Sequence, residues 1–445
     1  MNADKLTKTL CLAAVAFAVQ GAQALEILIP EGWDSPTKVA VAPFGSAMHP
    51  DEPDPMASVD LAGIVAFDLT RSGQFSLLPA DNMLSYPTAP DQVFFRDWRI
   101  LAMDYLVIGR AWTEANGAVS VVYHLFDVTS EREIASARIT AAPEKLRDIA
   151  HRISDEVYEH ITGIRGAFST KLLYVLVEDA ATNSPTYHLK VADADGARAR
   201  TVFRSKEPLL SPSWAPDASR VAYVSFETGR STIVVQNLAT GERTHVAAFP
   251  GLNGAPEFSP DGTKLAMSLS RDGNNEIYTL DLASRELRRI TRWPTAIDTE
   301  PSWTADGMSL IFTSDRPGKP QIYRVRLDRL LPERLTWEGD YNARARLLPN
   351  GRHLVYVHRR NRVYHIAWQD LERGTVRVLT QTSLDESPSL APNGTMMIYA
   401  TQDLGRGILA VVSIDNGFSY LLPEAAGDVR DPAWSPFIDA LRDGR

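Results

Sequence analysis

The stretch DPAWSPF, residues 431–437, reads as the opening of a unit that the few residues after it do not complete. Related strings stand upstream: PSWAPDA from Pro212, PEFSPDG from Pro256, PSWTADG from Pro301, ARLLPNG from Ala345 and PSLAPNG from Pro388. Taken with PAWSPF from Pro432, their starts lie 44, 45, 44, 43 and 44 residues apart. A fixed period in the low forties marks one supersecondary unit copied along the chain.

Each copy has the same parts. Ser259-Pro260-Asp261-Gly262 suits a type I turn, in which proline presets the first central residue, aspartate tolerates the second and glycine closes. An apolar run follows: RVAYVS (220–225), KLAMSL (264–269) or SLIFTS (309–314). After a second polar turn comes IVVQNL (233–238), IYTLDL (277–282) or IYRVRL (322–327), and then a short last strand such as LRRIT (287–291). No helical period appears, and near-continuous apolar runs are expected of strands covered on both faces. Four short antiparallel strands at this period describe a propeller blade.

The two ends of the repeat settle its closure. LLYVLV (172–177), YHLKVAD (187–193) and TVFRS (201–205) form a blade that lacks its first strand. DPAWSPF is a first strand that lacks its blade. Together they predict a six-bladed ring over residues 168–437, closed by the C-terminal strand, with no open sheet edge.

Residues 25–162 carry no such repeat. KVAVAPF (38–44) reads as a buried strand, and MASVDLAGIVAFDLTRSG (56–73) as a helix with Val59, Ile64, Phe67 and Leu69 on its apolar stripe. DYLVIGRAW (104–112) and VSVVYHLFDV (119–128) form a hairpin through Asn116-Gly117, and EREIASARIT (131–140) continues the sheet. A helix from Pro143 to Ile161 turns Leu146, Ile149, Ile153, Val157 and Ile161 to one side. The expected fold is multidomain: a small N-terminal α/β domain followed by the six-bladed all-β propeller.

Lys5 and Lys8, the apolar run LCLAAVAFAV (10–19), and the small residues Ala22 and Ala24 have the order of a secretory signal peptide over residues 1–24, with cleavage expected after Ala24. The run is too short to span a bilayer. The one cysteine, Cys11, lies inside it. Disulfides, thiolate chemistry and cysteine-held metal are therefore not expected of the mature chain. The composition, 44% hydrophobic and 23% charged, is that of a soluble globular protein. The net charge of −9 becomes −10 once Asp4, Lys5 and Lys8 (together +1) are removed, which argues against nucleic acid as a partner.

The residues that point to a family are RISDEVYEHITGIRGAFSTKLLYV (152–175), the S-P-D-G repeats, WEGDYN (337–342), LDESPSLAPNGTMMIYAT (384–401) and the terminal DPAWSPF. They resemble the TolB family, the periplasmic propellers of the Tol–Pal system. The resemblance covers essentially the whole chain. It implies a periplasmic, monomeric binding protein without cofactor or metal, supporting outer-membrane integrity and its constriction during cell division. The implied partners are the peptidoglycan-associated lipoprotein Pal at the propeller mouth, the C-terminal domain of TolA at the mature N-terminus, and colicins that exploit the system. Matched by motif, the Pal-binding residues are Leu252, Asn253, Ala255, Thr299, Glu300, Tyr341, Asn342, Asp385 and Glu386. Leu252 stands where the family often has histidine. The TolA-binding segment lies within residues 25–36, at Leu25, Glu26, Ile27, Leu28 and Ile29, whose alternation also suits strand addition to a partner's sheet edge.

The bland alternatives are that Glu300, Asp385 and Glu386 are ordinary solvated loop acids and that Leu25–Ile29 is an edge strand of the small domain. Asp193-Ala194-Asp195-Gly196 has a calcium-loop flavour but lacks the later acidic ligands, and falls where other repeats place a hairpin. The competing function is a propeller-based periplasmic hydrolase or lyase. It finds no support in a G-x-S-x-G elbow or an H-E-x-x-H pair, neither of which occurs.

Overall fold

The computed structural model describes residues 36–46, 59–422 and 427–438. The proposed signal peptide and the segment Leu25–Ile29 lie outside these residues.

The N-terminal domain is a mixed sheet with helices. Its strands are β1 (Thr37–Val41), β2 (Gly45–Ser46), β3 (Phe75–Leu77), β4 (Tyr105–Thr113), β5 (Val119–Asp127) and β6 (Arg132–Ala141). Their order is β3-β1-β4-β5-β6, with β2 beside β4. β1 runs parallel to both β3 and β4, while β4, β5 and β6 form an antiparallel meander. The helices are α1 (Leu61–Arg71), α2 (Phe95–Ile100) and α3 (Leu146–Thr162). Asp60 caps α1 by accepting from the Gly63 amide at 2.8 Å. α3 ends on Gly163, whose φ of 74° is the left-handed conformation that glycine adopts without strain.

The apolar face of α3 is the expected one, with Leu146, Ile149, Ile153 and Val157 buried. That of α1 is rotated from the expectation. Leu61, Val65 and Leu69 are buried with the polar Asp68 and Arg71, while Phe67 is 46% exposed and only meets the ring of Tyr420 edge-on. The stretch between β3 and β4 carries no clear sequence period, and it holds α2 and two short 3₁₀ turns. Trp98 of α2 fills a second small core against Leu106, Ile108 and Phe126.

The propeller follows the repeat. Six separate four-stranded antiparallel sheets are arranged in sequence order. Their first strands are Leu209–Trp214, Asn253–Phe258, Asp298–Trp303, Asn342–Leu347, Glu386–Leu390 and Asp428–Trp434. The last of these pairs antiparallel with β7 (Lys171–Glu178), matching Asp428 to Val177 and Trp434 to Leu172. β8 (Thr186–Asp193) and β9 (Arg200–Ser205) complete that blade. The terminal strand therefore supplies the missing first strand, as the unfinished unit predicted.

Strands alternate in direction, so the turns after the first and third strands of every blade leave one face of the ring. The hairpins after the second strands and the blade-to-blade loops leave the other. The N-terminal domain sits on the first of these faces. Asn393 Nδ2 donates to Arg165 O at 2.8 Å, and Asn416 Nδ2 to Gly73 O at 2.7 Å, both from such turns. One continuous apolar core joins the two domains, running from Val65, Leu69 and Ile153 of the helices through Phe168 to Leu172, Ile398 and Tyr420. The described residues of the N-terminal domain leave the opposite face, the mouth, uncovered.

Candidate functional site

The mouth is built from a distortion repeated six times. Each first strand shifts register once, between Leu210 and Ser213, Gly254 and Glu257, Thr299 and Ser302, Ala343 and Arg346, Glu386 and Ser389, and Arg430 and Ala433. Inside each shift one non-glycine residue is left-handed: Ser211, Ala255, Glu300, Arg344, Ser387 and Asp431, with φ from 47° to 55°. In five of the six the next residue is proline. Proline cannot donate a ladder hydrogen bond, and it sits here in the innermost strand, which is an edge strand of each sheet, at a bulge. Non-glycine residues held left-handed cost about 1–3 kcal/mol each and persist where the surroundings over-determine them.

The surroundings here are an ionic network across the central channel. Arg344 Nε donates to Glu300 Oε1 at 2.6 Å, and Arg344 Nη1 to Asp431 Oδ1 at 3.1 Å and to Ser387 Oγ. Asp431 also accepts from Ser387 Oγ at 2.9 Å and from the Ser211 amide at 3.2 Å. Glu300 Oε2 accepts from the Arg344 amide at 3.1 Å and from Thr313 Oγ1 at 2.9 Å. Burial opposes the charge on Arg344, but Glu300 and Asp431 outweigh it and hold the guanidinium firmly protonated. Burial likewise opposes the charge on Asp431, and Arg344 overrides it, so the carboxyl lies below its usual range.

Glu300 and Arg344 line two cavities at once. Towards the N-terminal domain lies a funnel of about 480 Å³ walled by prolines and by Trp214, Trp303 and Trp434. Towards the mouth lies a cup of about 500 Å³ lined by Tyr341, Tyr364, Leu384, Glu386, Asp428 and Arg430 among others. Tyr341 and Tyr364 meet edge-to-face at 5.2 Å and form one wall. Around the cup the mouth loops expose large apolar side chains: Leu252 (46%), Trp293, Ile297, Trp337 (72%), Leu384 and Leu404 (94%). Isolated exposed apolar residues are ordinary, but several loops of one face presenting them together mark an interaction surface.

The nine mouth residues named from the sequence fall into distinct roles. Leu252 and Glu386 are exposed, while Tyr341, Thr299 and Glu300 are half-buried. Tyr341, Glu300 and Glu386 border the cup. Ala255 is on the channel wall but opens to the funnel, away from the mouth. Asn253, Asn342 and Asp385 are buried. Asn253 Nδ2 donates to Ser231 O (3.0 Å), Phe249 O (2.8 Å) and Gly251 O (3.2 Å), and its Oδ1 accepts from the Phe249 amide at 2.9 Å. Asn342 Nδ2 donates to Gln321 Oε1 and Glu338 O, and its Oδ1 lies 2.7 Å from His358 Nδ1. Asp385 accepts from Thr380, Thr382 and Thr401, and burial pushes its carboxyl up.

The common feature is position. Asn253, Asp298, Asn342 and Asp385 each stand two residues before a left-handed residue, and each fastens the loop that enters its blade. Asp298 does so through a two-pronged ion pair with Arg316, at 2.8 and 2.9 Å. The Asn and Asp positions thus anchor the loops that enter their blades. Asn253→Ala, which leaves the buried Ser231 carbonyl and the part-buried Phe249 and Gly251 carbonyls and Phe249 amide without their partner, should lower stability by about 1–3 kcal/mol. Chemical denaturation followed by far-UV circular dichroism measures it.

A second cluster, missed by the sequence, joins the domains. His151 of α3 donates from Nδ1 to Asp68 Oδ2 of α1 at 2.7 Å, and Arg71 Nε donates to Asp68 Oδ1 at 2.9 Å. Arg71 Nη1 reaches Ala194 O (3.1 Å) and the Tyr420 hydroxyl (3.3 Å) in the propeller. Arg147 pairs with Asp195, and Asp193 holds Lys171 at 2.6 Å and Arg198 at 2.7 Å. Asp68, His151 and Asp195 are close enough to share a metal ion. Arg71 and Arg147 already occupy the two carboxylates, however, so the donor set suits ion pairing better than a cation. Asp193–Asp195 lies in the hairpin its place in the repeat suggested, and its carboxylates also fasten the N-terminal domain through Arg147.

A six-bladed propeller with a small α/β domain on one face is an architecture of known type. Residues 158–438 match the TolB beta propeller domain and residues 25–134 the TolB amino-terminal domain. The Tol-Pal system protein TolB of Alcanivorax borkumensis is 46% identical over 93% of this chain and 93% of its own length. That of Pseudomonas aeruginosa is 46% identical over 97% and 99%. The crystal structure of TolB from Acinetobacter baumannii superposes with a TM-score of 0.83 at 41% identity, covering 93% of this chain and all of that one. The chain belongs to the TolB family of the Tol–Pal system.

Proposed function

We propose that the protein is a non-enzymatic periplasmic adaptor of the Tol–Pal envelope complex. Its propeller mouth binds the peptidoglycan-associated lipoprotein Pal, and its N-terminal segment Leu25–Ile29 binds the C-terminal domain of TolA. In this role it supports outer-membrane integrity and the invagination of that membrane at division, and colicins are further ligands. The observation that carries the reading is the crescent of exposed apolar side chains around the cup, on the ring face that the N-terminal domain leaves free. Large exposed aromatic and aliphatic groups ringed by polar loops are the anchors of protein–protein interfaces. The absence of a hydrolase elbow and the use of the channel residues in mutual ion pairs both favour binding over catalysis. Among the described residues no helix is long and apolar enough to cross a membrane.

Calorimetric titration of the soluble Pal domain of the same organism tests the reading. Trp337→Ala and Leu404→Asp should each weaken binding about tenfold or more, by loss of anchor area and by a charge placed in an apolar contact. Their thermal unfolding should match the parent chain, since both side chains are exposed. No heat of binding with the parent chain removes Pal as the partner. A chain beginning at Thr37 should keep Pal and lose TolA.

A further inference from the structure

The cup holds one carboxylate that the fold leaves unmatched. Glu300 is paired with Arg344, Asp428 Oδ1 accepts from the Gly407 amide at 3.2 Å, and Asp385 is enclosed by three threonine hydroxyls. The side chain of Glu386, at the entry of its blade, makes no hydrogen bond or ion pair within the described residues, although it borders the cup. Arg430 lines the same cup without closing on it. Of the charged groups that line the cup, Glu300, Asp385, Glu386 and Asp428 face Arg344 and Arg430, a formal balance of −2. Glu386 is exposed at the rim but partly desolvated by the cup wall, and this desolvation, reinforced by Asp431 and Glu300 against the pull of Arg344 and Arg430, pushes its carboxyl above the usual range. The site is therefore short of positive charge, and it lies within a concavity wide enough for one long side chain. Its aromatic wall, Tyr341 against Tyr364, suits the alkyl stem or the guanidinium face of such a group.

We propose that the mouth cup receives a single lysine or arginine side chain of the bound partner, with its cation against Glu386 and its stem along Tyr341. Arg344 forms the floor. It is already saturated by Glu300, Asp431 and Ser387, so it sets the depth of insertion and prevents passage into the funnel. Apolar anchors on the rim then supply affinity, and the inserted cation fixes orientation. This deepens the Pal reading and rests on it, since it names the chemistry by which that partner is recognised.

The test uses two titrants on the mature chain and on Glu386→Gln. One is the Pal domain, followed by calorimetry at low and high salt. The other is Nα-acetyl-arginine amide, followed by NMR shifts of cup residues. The expected result is a loss of about tenfold in Pal affinity in Glu386→Gln at low salt, narrowing as salt screens the pair. Saturable amide-induced shifts at Glu386 and Tyr341 should appear in the parent chain only. Unchanged thermal unfolding of the variant would show that the ring is intact. Equal Pal affinity in both chains, without shifts from the amide, overturns the cation site and leaves Pal as partner. Glu386-dependent shifts without Pal binding overturn the Pal reading and keep the site. Neither response overturns both.

Discussion

A chain ended after Leu422 is expected to lose the folded propeller altogether. Among the described residues, the terminal strand Asp428–Trp434 is the one first strand of the blade of β7, β8 and β9. Without it, β7 becomes an open edge of eight largely buried residues, KLLYVLVE. A long, flat, apolar edge templates pairing with other chains, so the product should aggregate rather than unfold reversibly. Closure is fixed by more than the ladder. Trp434 is buried among residues of both domains, and its Nε1 donates to Thr170 Oγ1 at 2.7 Å. The Ser435 amide donates to Lys171 O, and the Lys171 amide to Ser435 Oγ, both at 2.9 Å. Trp434→Ala tests the same joint more gently. Removing a buried tryptophan typically costs about 3–5 kcal/mol. The variant should stay soluble with a lower midpoint of denaturation, whereas size-exclusion chromatography should find the truncated chain in the void volume. A monomeric, cooperatively unfolding truncated chain would show that the ring closes by other means.

This closure was legible because it rests on a period. The opening strings, their turns and the unmatched first strand are local patterns that any copy reports, and agreement among copies removes the ambiguity of each one. The channel was legible only in hindsight. A proline inside the innermost, edge strand of a blade, as at Pro212, Pro256, Pro301, Pro388 and Pro432, sits readily at a bulge. The residue before it is then the one aimed into the channel. That signal stands in the sequence, but at the fourth copy Ala345 takes the proline's place, and Arg344 there becomes the plug. The recurring Asn or Asp two positions earlier is also visible. Family resemblance marks its position and not its burial, which hydrogen bonds to neighbouring loops and strands reveal. The α1 stripe is misphased for a related reason. Asp68 and Arg71 are polar, so a hydrophobic pattern turns them outward, and only their partners His151 and Tyr420, 83 and 349 residues away, explain why they face in.

That interdomain cluster carries the second large prediction, Asp68→Asn. The carboxylate is fully buried, and it holds His151 and Arg71 together. Burial alone would raise its pKa, but His151 and Arg71 outweigh burial and bring it down to about 2. Burial would lower the pKa of His151, and Asp68 outweighs that too, so the imidazole titrates above its usual range. Removing one member of a buried ion pair leaves the others uncompensated and typically costs about 3–5 kcal/mol. Asp328, in an exposed pair with Arg326, is the control and should shift nothing measurable when replaced by Asn. The pH dependence follows from the two directions. The depressed Asp68 contributes stability above its unfolded pKa of roughly 4, and this is lost as pH falls towards 2. The raised His151 contributes fully below its unfolded pKa of roughly 6.5, and this is lost as pH rises through its folded value. The contribution of the pair should thus be largest between about pH 4 and 6.5. Denaturant midpoints measured across that range and above it should show the parent chain losing stability on the alkaline side, with a flatter limb there in Asp68→Asn. Because α1 and α3 lie on one side of the cluster and the Asp193–Arg198 hairpin on the other, the same loss should loosen the docking of the N-terminal domain on the ring. Hydrogen exchange would then quicken first at the amides of Asp193 to Gly196, ahead of the blade cores. Equal alkaline limbs in both chains would mean that His151 is neutral in the folded protein and that Arg71 alone secures Asp68.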